Sequence, residues 1–125
     1  MLESKLEARL TRLLRVKGCI PLKFVSPGQA GVPDRIVLIP GNSSHPPETV
    51  FVEMKAPGEK ERPLQARVHD ALRAAGYTVF SSVDSAQRID EVVAYCQASR
   101  EMRREKDGEK DGQAARGLHS RHTDP

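Results

Sequence analysis

The apolar positions of this chain fall into blocks with two different periods. Over residues 2–17, Leu2, Leu6, Leu10 and Leu13 recur at three- and four-residue intervals, with Leu14 widening the stripe. That spacing puts them on one face of a helix whose other face is mostly Arg and Lys, and Gly18 ends it. Residues 22–26, LKFVS, read as a first strand, followed by the loop SPGQAG. Residues 35–39, RIVLI, are nearly all β-branched or Leu, which predicts a second strand buried on both faces. A polar turn region over 40–47 leads to a third strand over 50–55.

A charged loop with Pro57 and Gly58 fills 56–62. Pro63 suits the first turn of a second helix over 64–75, with Leu64, Val68, Ala71 and Leu72 inward and Gly76 closing it. Residues 77–81 read as a fourth strand. A third helix over 85–96, capped by Asp84 or Ser85, carries Ile89, Val92, Val93 and Cys96 at helical spacing. The order α-β-β-β-α-β-α predicts an α/β or α+β domain over residues 1–99, with a small mixed sheet flanked by helices. Residues 100–125 hold seven basic and six acidic residues, with Met102 and Leu118 as the only large apolar ones. Such a segment cannot offset its ordering entropy, so a frayed helix end followed by a disordered charged tail is expected.

A chain of 125 residues, 38% of them hydrophobic, is enough for one domain with a real core. The net charge of +3 is only mildly basic, so charge alone identifies no nucleic-acid partner. Cys19 and Cys96 lie far apart in apolar contexts and fit no metal spacing, which predicts reduced core thiols. Acids appear at once in MLESKLEARL, so it is not read as a signal peptide, and no stretch approaches the roughly 20 apolar residues of a membrane span. A soluble, cytoplasmic protein without a membrane partner is expected. His119 and His122 have an i,i+3 spacing in the charged tail but no further ligands, and His69 reads as a surface helix residue. Neither a Ser-His-Asp order, a phosphate-binding glycine loop nor a dinucleotide fingerprint occurs, so no organic cofactor is expected.

The chemistry lies in two strings, GVPDR at 31–35 and FVEMK at 51–55. Glu53 and Lys55 are two apart in an apolar run, so in a strand they share a face. Alone, Asp34 is an ordinary turn residue after Pro33, and Glu53 with Lys55 an ordinary surface pair. Together, two acids and a lysine at strand ends suit the holding of a divalent cation against a phosphodiester. Glu7, at the edge of the leucine stripe, is a candidate acid on the first helix. Glu3, one turn earlier, competes for that place; otherwise both are solvent-facing acids, with Glu3 favoured by the helix dipole.

The helix ESKLEARLTRLLRVKG, the segment LKFVSPGQAGVPDR, the strand VFVEMKAPG and the unit PLQ…LRAAGYTVF together resemble the PD-(D/E)XK nuclease superfamily. Within it, the chain is similar to the small stand-alone VRR-NUC proteins of phages and bacteria. The resemblance covers residue 3 to about residue 96 and leaves out the tail. It implies a restriction-endonuclease-like core and a metal-dependent DNA endonuclease using Mg²⁺ or Mn²⁺, in a bacterial or phage-infected cell. Asp34 and Glu53 would be metal ligands, with the Met54 backbone carbonyl and Glu7 as further donors. Lys55 would act at the scissile phosphate, and Gln65 near the site. Lys23, Ser26 and Arg35 are candidate DNA contacts, Arg35 being equally readable as a structural ion pair. The likeness to junction-resolving enzymes implies branched DNA or Holliday junctions as substrate and a homodimer with one site per chain. Two alternatives stay open: a nuclease-fold binding or assembly module without turnover, and a flap- or single-strand-directed nuclease.

Overall fold

Leucines at four-residue intervals build the first helix. In the computed structural model, which describes residues 2–122 and the side chains of 2–104, α1 (Glu3–Val16) buries Leu6, Leu10 and Leu14. Leu2 stays 69% exposed and Leu13 packs only at the edge of the core. The buried stripe therefore runs through Leu14 rather than Leu2 and Leu13, because the helix starts only after Leu2, which is its N-cap. Gly18 follows at φ +82°, a conformation that closes a helix and that side chains disfavour.

The chain then forms an antiparallel meander of β1 (Ile20–Lys23), β2 (Arg35–Ile39) and β3 (Glu48–Met54). β1 begins two residues before the expected start, because Ile20 already pairs with Leu38. β3 also begins early, at Glu48, whose carboxylate accepts hydrogen bonds from Ser99 (2.6 Å) and Tyr95 (2.5 Å). α2 (Pro63–Ala74) carries the chain across the sheet to β4 (Thr78–Val83), which pairs parallel with β3. The sheet order is β1-β2-β3-β4. This mixed sheet with three helices matches the expected fold class.

One face of the sheet forms the core. Val37, Ile39, Val50 and Val52 pack there with α1 and with Ile89, Val92, Val93 and Cys96 of α3 (Ala86–His122). Each fully buried aliphatic side chain of this kind contributes about 2 kcal/mol. β2 alternates buried and half-buried positions, which corrects the expectation of burial on both faces. α2 lies over β4 on the opposite face, and of its side chains only His69 is fully buried. Leu64 stays 39% exposed, so the inward stripe expected on α2 is mostly half-exposed. Polar contacts anchor that helix instead: the Arg73 guanidinium donates to the Val79 carbonyl (3.1 Å) and to Ser81 Oγ (2.9 Å).

Ser85 Oγ accepts the Arg88 N–H at 3.1 Å and so caps α3. The helix continues beyond Cys96, and Arg103 donates to the Pro46 carbonyl at 2.8 Å, tying α3 to the turn between β2 and β3. The charged tail expected over 100–125, with His119 and His122, lies outside the described side chains from residue 105 onward. Cys19 and Cys96 are buried free thiols, as expected, and burial pushes the Cys96 thiol up to about 12. Among the described residues, no helix is long and apolar enough to cross a membrane.

Candidate functional site

Asp34 sits immediately before β2 and Glu53 near the end of β3, two adjacent strands of the sheet. The Met54 N–H donates to Asp34 Oδ1 at 3.0 Å, which draws the Asp34 carboxylate to the backbone beside Glu53. Here the sheet is irregular. Val52 pairs with Phe80 but Met54 with Val83, so β4 carries one extra residue opposite Glu53. Ser82 takes up that residue at φ +52°, unusual for a side chain other than glycine. Such a bulge re-aims side chains at the end of a ladder. Beyond it the Lys55 N–H bonds to the Val83 carbonyl at 3.0 Å, and Lys55 is only 5% exposed.

The loop before Asp34 is held by a close approach to α2. Gly31 has φ +86°, and a Cβ there would lie 3.1 Å from both Leu64 and Val68. Glycine is thus required twice over, by conformation and by space. α2 in turn delivers Gln65: its Nε2 donates to Glu53 Oε2 at 3.4 Å while its Oε1 accepts the Arg62 N–H at 2.9 Å.

The electrostatics are those of carboxylates removed from water. Burial raises the Glu53 carboxyl to about 7; the Asp34 charge pushes it the same way, while Lys55 and the Asp34 backbone N–H oppose. Burial also raises Asp34, against the Met54 N–H and Lys55. Glu53 Oε1 is buried and has no hydrogen-bond partner. An orphaned carboxylate oxygen beside a second carboxylate, with the charge of the buried Lys55 felt by both, is a donor set of hard oxygens that suits Mg²⁺ or Mn²⁺.

The two acids of α1 divide their roles. Glu7 is ion-paired to the Arg35 guanidinium, and no described hydrogen bond or ion pair joins it to Asp34 or Glu53. The charge felt at both Asp34 and Glu53 from α1 is that of Glu3. Arg35 itself is 7% exposed and pairs with Glu7, which is the structural ion pair that was one of its two readings. Lys23 is exposed at the end of β1, in register with Arg35, and the Ser26 carbonyl accepts the Gln29 N–H at 3.3 Å in the loop. Among the described residues no three His, Cys, Asp or Glu side chains cluster to hold a metal, so the carboxylate pair is the nucleus of the site.

His69 was not legible as part of this region. It is fully buried, not a surface residue, with Nδ1 2.8 Å from the Glu61 carboxylate and 2.7 Å from Ser81 Oγ. It braces the charged loop before α2 against β4. One signal was available: His69 follows Gln65 by four residues and so shares its helix face.

The geometry has a counterpart among known proteins. No family model matches the chain. Over 77 residues it is 47% identical to "Putative nuclease p44" of Acyrthosiphon pisum secondary endosymbiont phage 1, covering 62% of this chain and 77% of that protein. A solved structure described as a VRR_NUC domain superposes with a TM-score of 0.61 at 26% identity, covering 74% of this chain and 95% of that one. The chain belongs to the VRR-NUC nuclease family. In this VRR-NUC chain, then, the buried Glu53 and Lys55 lie beside the half-buried Asp34.

Proposed function

We propose that this VRR-NUC protein is a metal-dependent DNA endonuclease that acts on branched DNA, with four-way junctions as its preferred substrate and a homodimer as its working form. The observation that carries the metal-dependent reading is the partnerless Glu53 Oε1 beside Asp34. Asp34, Glu53 and the Met54 carbonyl would hold Mg²⁺ or Mn²⁺, with Glu3 the acid of α1 nearest in electrostatic reach. A bound divalent ion would supply an activated water and polarise the phosphoryl oxygens.

The chain's own residues do the remaining work. Lys55, buried with its charge in reach of both carboxylates, neutralises charge that grows on the phosphoryl oxygens in the transition state. Gln65 fixes the rotamer of Glu53 through Oε2 and leaves Oε1 for the cation. Lys23, exposed at the end of β1, is positioned for a phosphate of the DNA backbone. The preference for branched DNA follows from the likeness to junction-resolving enzymes, and the dimer from the need to cut two opposed strands with one site per chain.

Cleavage of linear duplex, flap and four-way-junction DNA, each with EDTA, Mg²⁺ or Mn²⁺, tests the reading. Metal-dependent cutting with the junction cleaved fastest is the expected result. Cleavage in EDTA would refute metal dependence, and a flap preference would replace the substrate.

A further inference from the structure

We propose that Arg62 grips the DNA phosphate next to the one that is cut. Arg62 sits where a helix has no use for it. It is the N-cap of α2, at φ −83° and ψ 153°, and gives the helix no side-chain cap. Ser, Thr, Asp or Asn at an N-cap accepts a backbone N–H of the first turn, which a guanidinium cannot do. The same end of a helix favours anions over cations. Local rules of this kind are broken at functional sites, where the loss is offset elsewhere.

The position is beside the carboxylate pair. Gln65 Oε1 accepts the Arg62 N–H at 2.9 Å, and Gln65 Nε2 donates to Glu53 Oε2 at 3.4 Å. One side chain therefore separates the Arg62 backbone from Glu53. The direction is set by the residue before it. Glu61 turns inward, its carboxylate 2.8 Å from Nδ1 of the fully buried His69. Arg62 has extended backbone, and successive side chains of an extended chain point to opposite sides, so Arg62 turns outward, where it is exposed.

The charge balance of the loop over 56–62 points to the ligand. Both of its acids are engaged within the protein, Glu61 with His69 and Glu59 with the Ala56 N–H at 3.2 Å. Its cations Lys60 and Arg62 are exposed and form no ion pair among the described residues. An uncompensated guanidinium one side chain from Glu53 suits a phosphodiester, which it can bind through two parallel N–H groups. The identity of that phosphate rests on the nuclease reading above, whereas binding is measured without turnover.

Anisotropy of a fluorescent four-way junction in EDTA, over about 50–200 mM salt, tests the contact. Arg62→Ser should weaken binding about tenfold and lower the slope of log K against log salt by about 1. Its Tm should rise by roughly 3–5 °C, because serine caps α2. A residue kept for the fold would lose stability instead. Arg62→Lys should keep the salt slope. Arg12→Gln, the same loss of charge at an exposed position of α1, should change binding less than about twofold. Should Arg62→Ser fail to fold, Arg62→Gln decides through the slope alone. Wild-type affinity and slope without Arg62, an equal loss in Arg12→Gln, or weaker binding only in a variant that melts lower overturns the proposal. A wild type that binds as expected, loses binding with Arg62, but cuts no DNA with either metal upholds the contact and refutes the nuclease reading instead.

Discussion

Glu53→Gln should make the metal-free protein more stable at pH 8, although it destroys the site. The sign follows from linkage. Burial and the Asp34 charge hold the folded-state Glu53 carboxyl near 7, against an ordinary value of 4.5. Below about pH 4.5 Glu53 is protonated in both folded and unfolded chains, and its neutral form carries no penalty. As pH rises through 7, the unfolded chain has already ionised freely while the folded chain is forced to ionise against burial and Asp34. Stability is then lost by up to about 3 kcal/mol, at roughly 1.4 kcal/mol per unit of difference. Gln keeps the volume and the acceptor for Gln65 but never ionises.

For a chain of this length 2–3 kcal/mol corresponds to a rise in Tm on the order of 5–10 °C. Thermal melts of both proteins in EDTA at pH 5 and pH 8 measure it. The variant should melt higher at pH 8, with most of the difference gone at pH 5. Mn²⁺ should close the gap at pH 8, because the cation stabilises the ionised pair in the wild type and finds one carboxylate fewer in the variant; that linkage is worth about 2.7 kcal/mol at a hundred times Kd and about 4.1 kcal/mol at a thousand times Kd, where the order should reverse. Equal melting of the two proteins at pH 8 in EDTA would refute the argument that this carboxylate is held against its own desolvation.

Two further substitutions separate chemistry from scaffolding. Lys55→Ala should cut the single-turnover rate by roughly 10²–10³ with DNA affinity nearly kept, and a loss under threefold would remove Lys55 from the reaction. Glu7→Gln strands the buried Arg35 guanidinium and should cost about 3 kcal/mol in denaturant melts, most of it restored in Glu7→Leu/Arg35→Met, while calorimetric Mn²⁺ affinity stays the same. Unchanged stability with weakened Mn²⁺ binding would make Glu7 a ligand after all.

What the sequence disclosed here was set by the range over which its signals act. Helical and strand periods are local, so the order of seven elements, the α3 stripe of Ile89, Val92, Val93 and Cys96, and the shared face of Glu53 and Lys55 could be read directly. Pairing is not local. Nothing around Ile20 announces that it will oppose Leu38, and nothing in VEMK announces that β4 will bulge opposite Glu53. Glu3 and Glu7 share one face of α1, and their different roles are decided by the position of Arg35, 28 residues further along the chain than Glu7. His69 failed for the same reason, since its burial depends on Glu61 and Ser81 on either side of α2. That misplacement involves an ionisable group buried in polar company, where hydrophobic patterning has least to say. The carboxylates escaped this because the family's spacing fixes them together, and a spacing can be read before any fold is known.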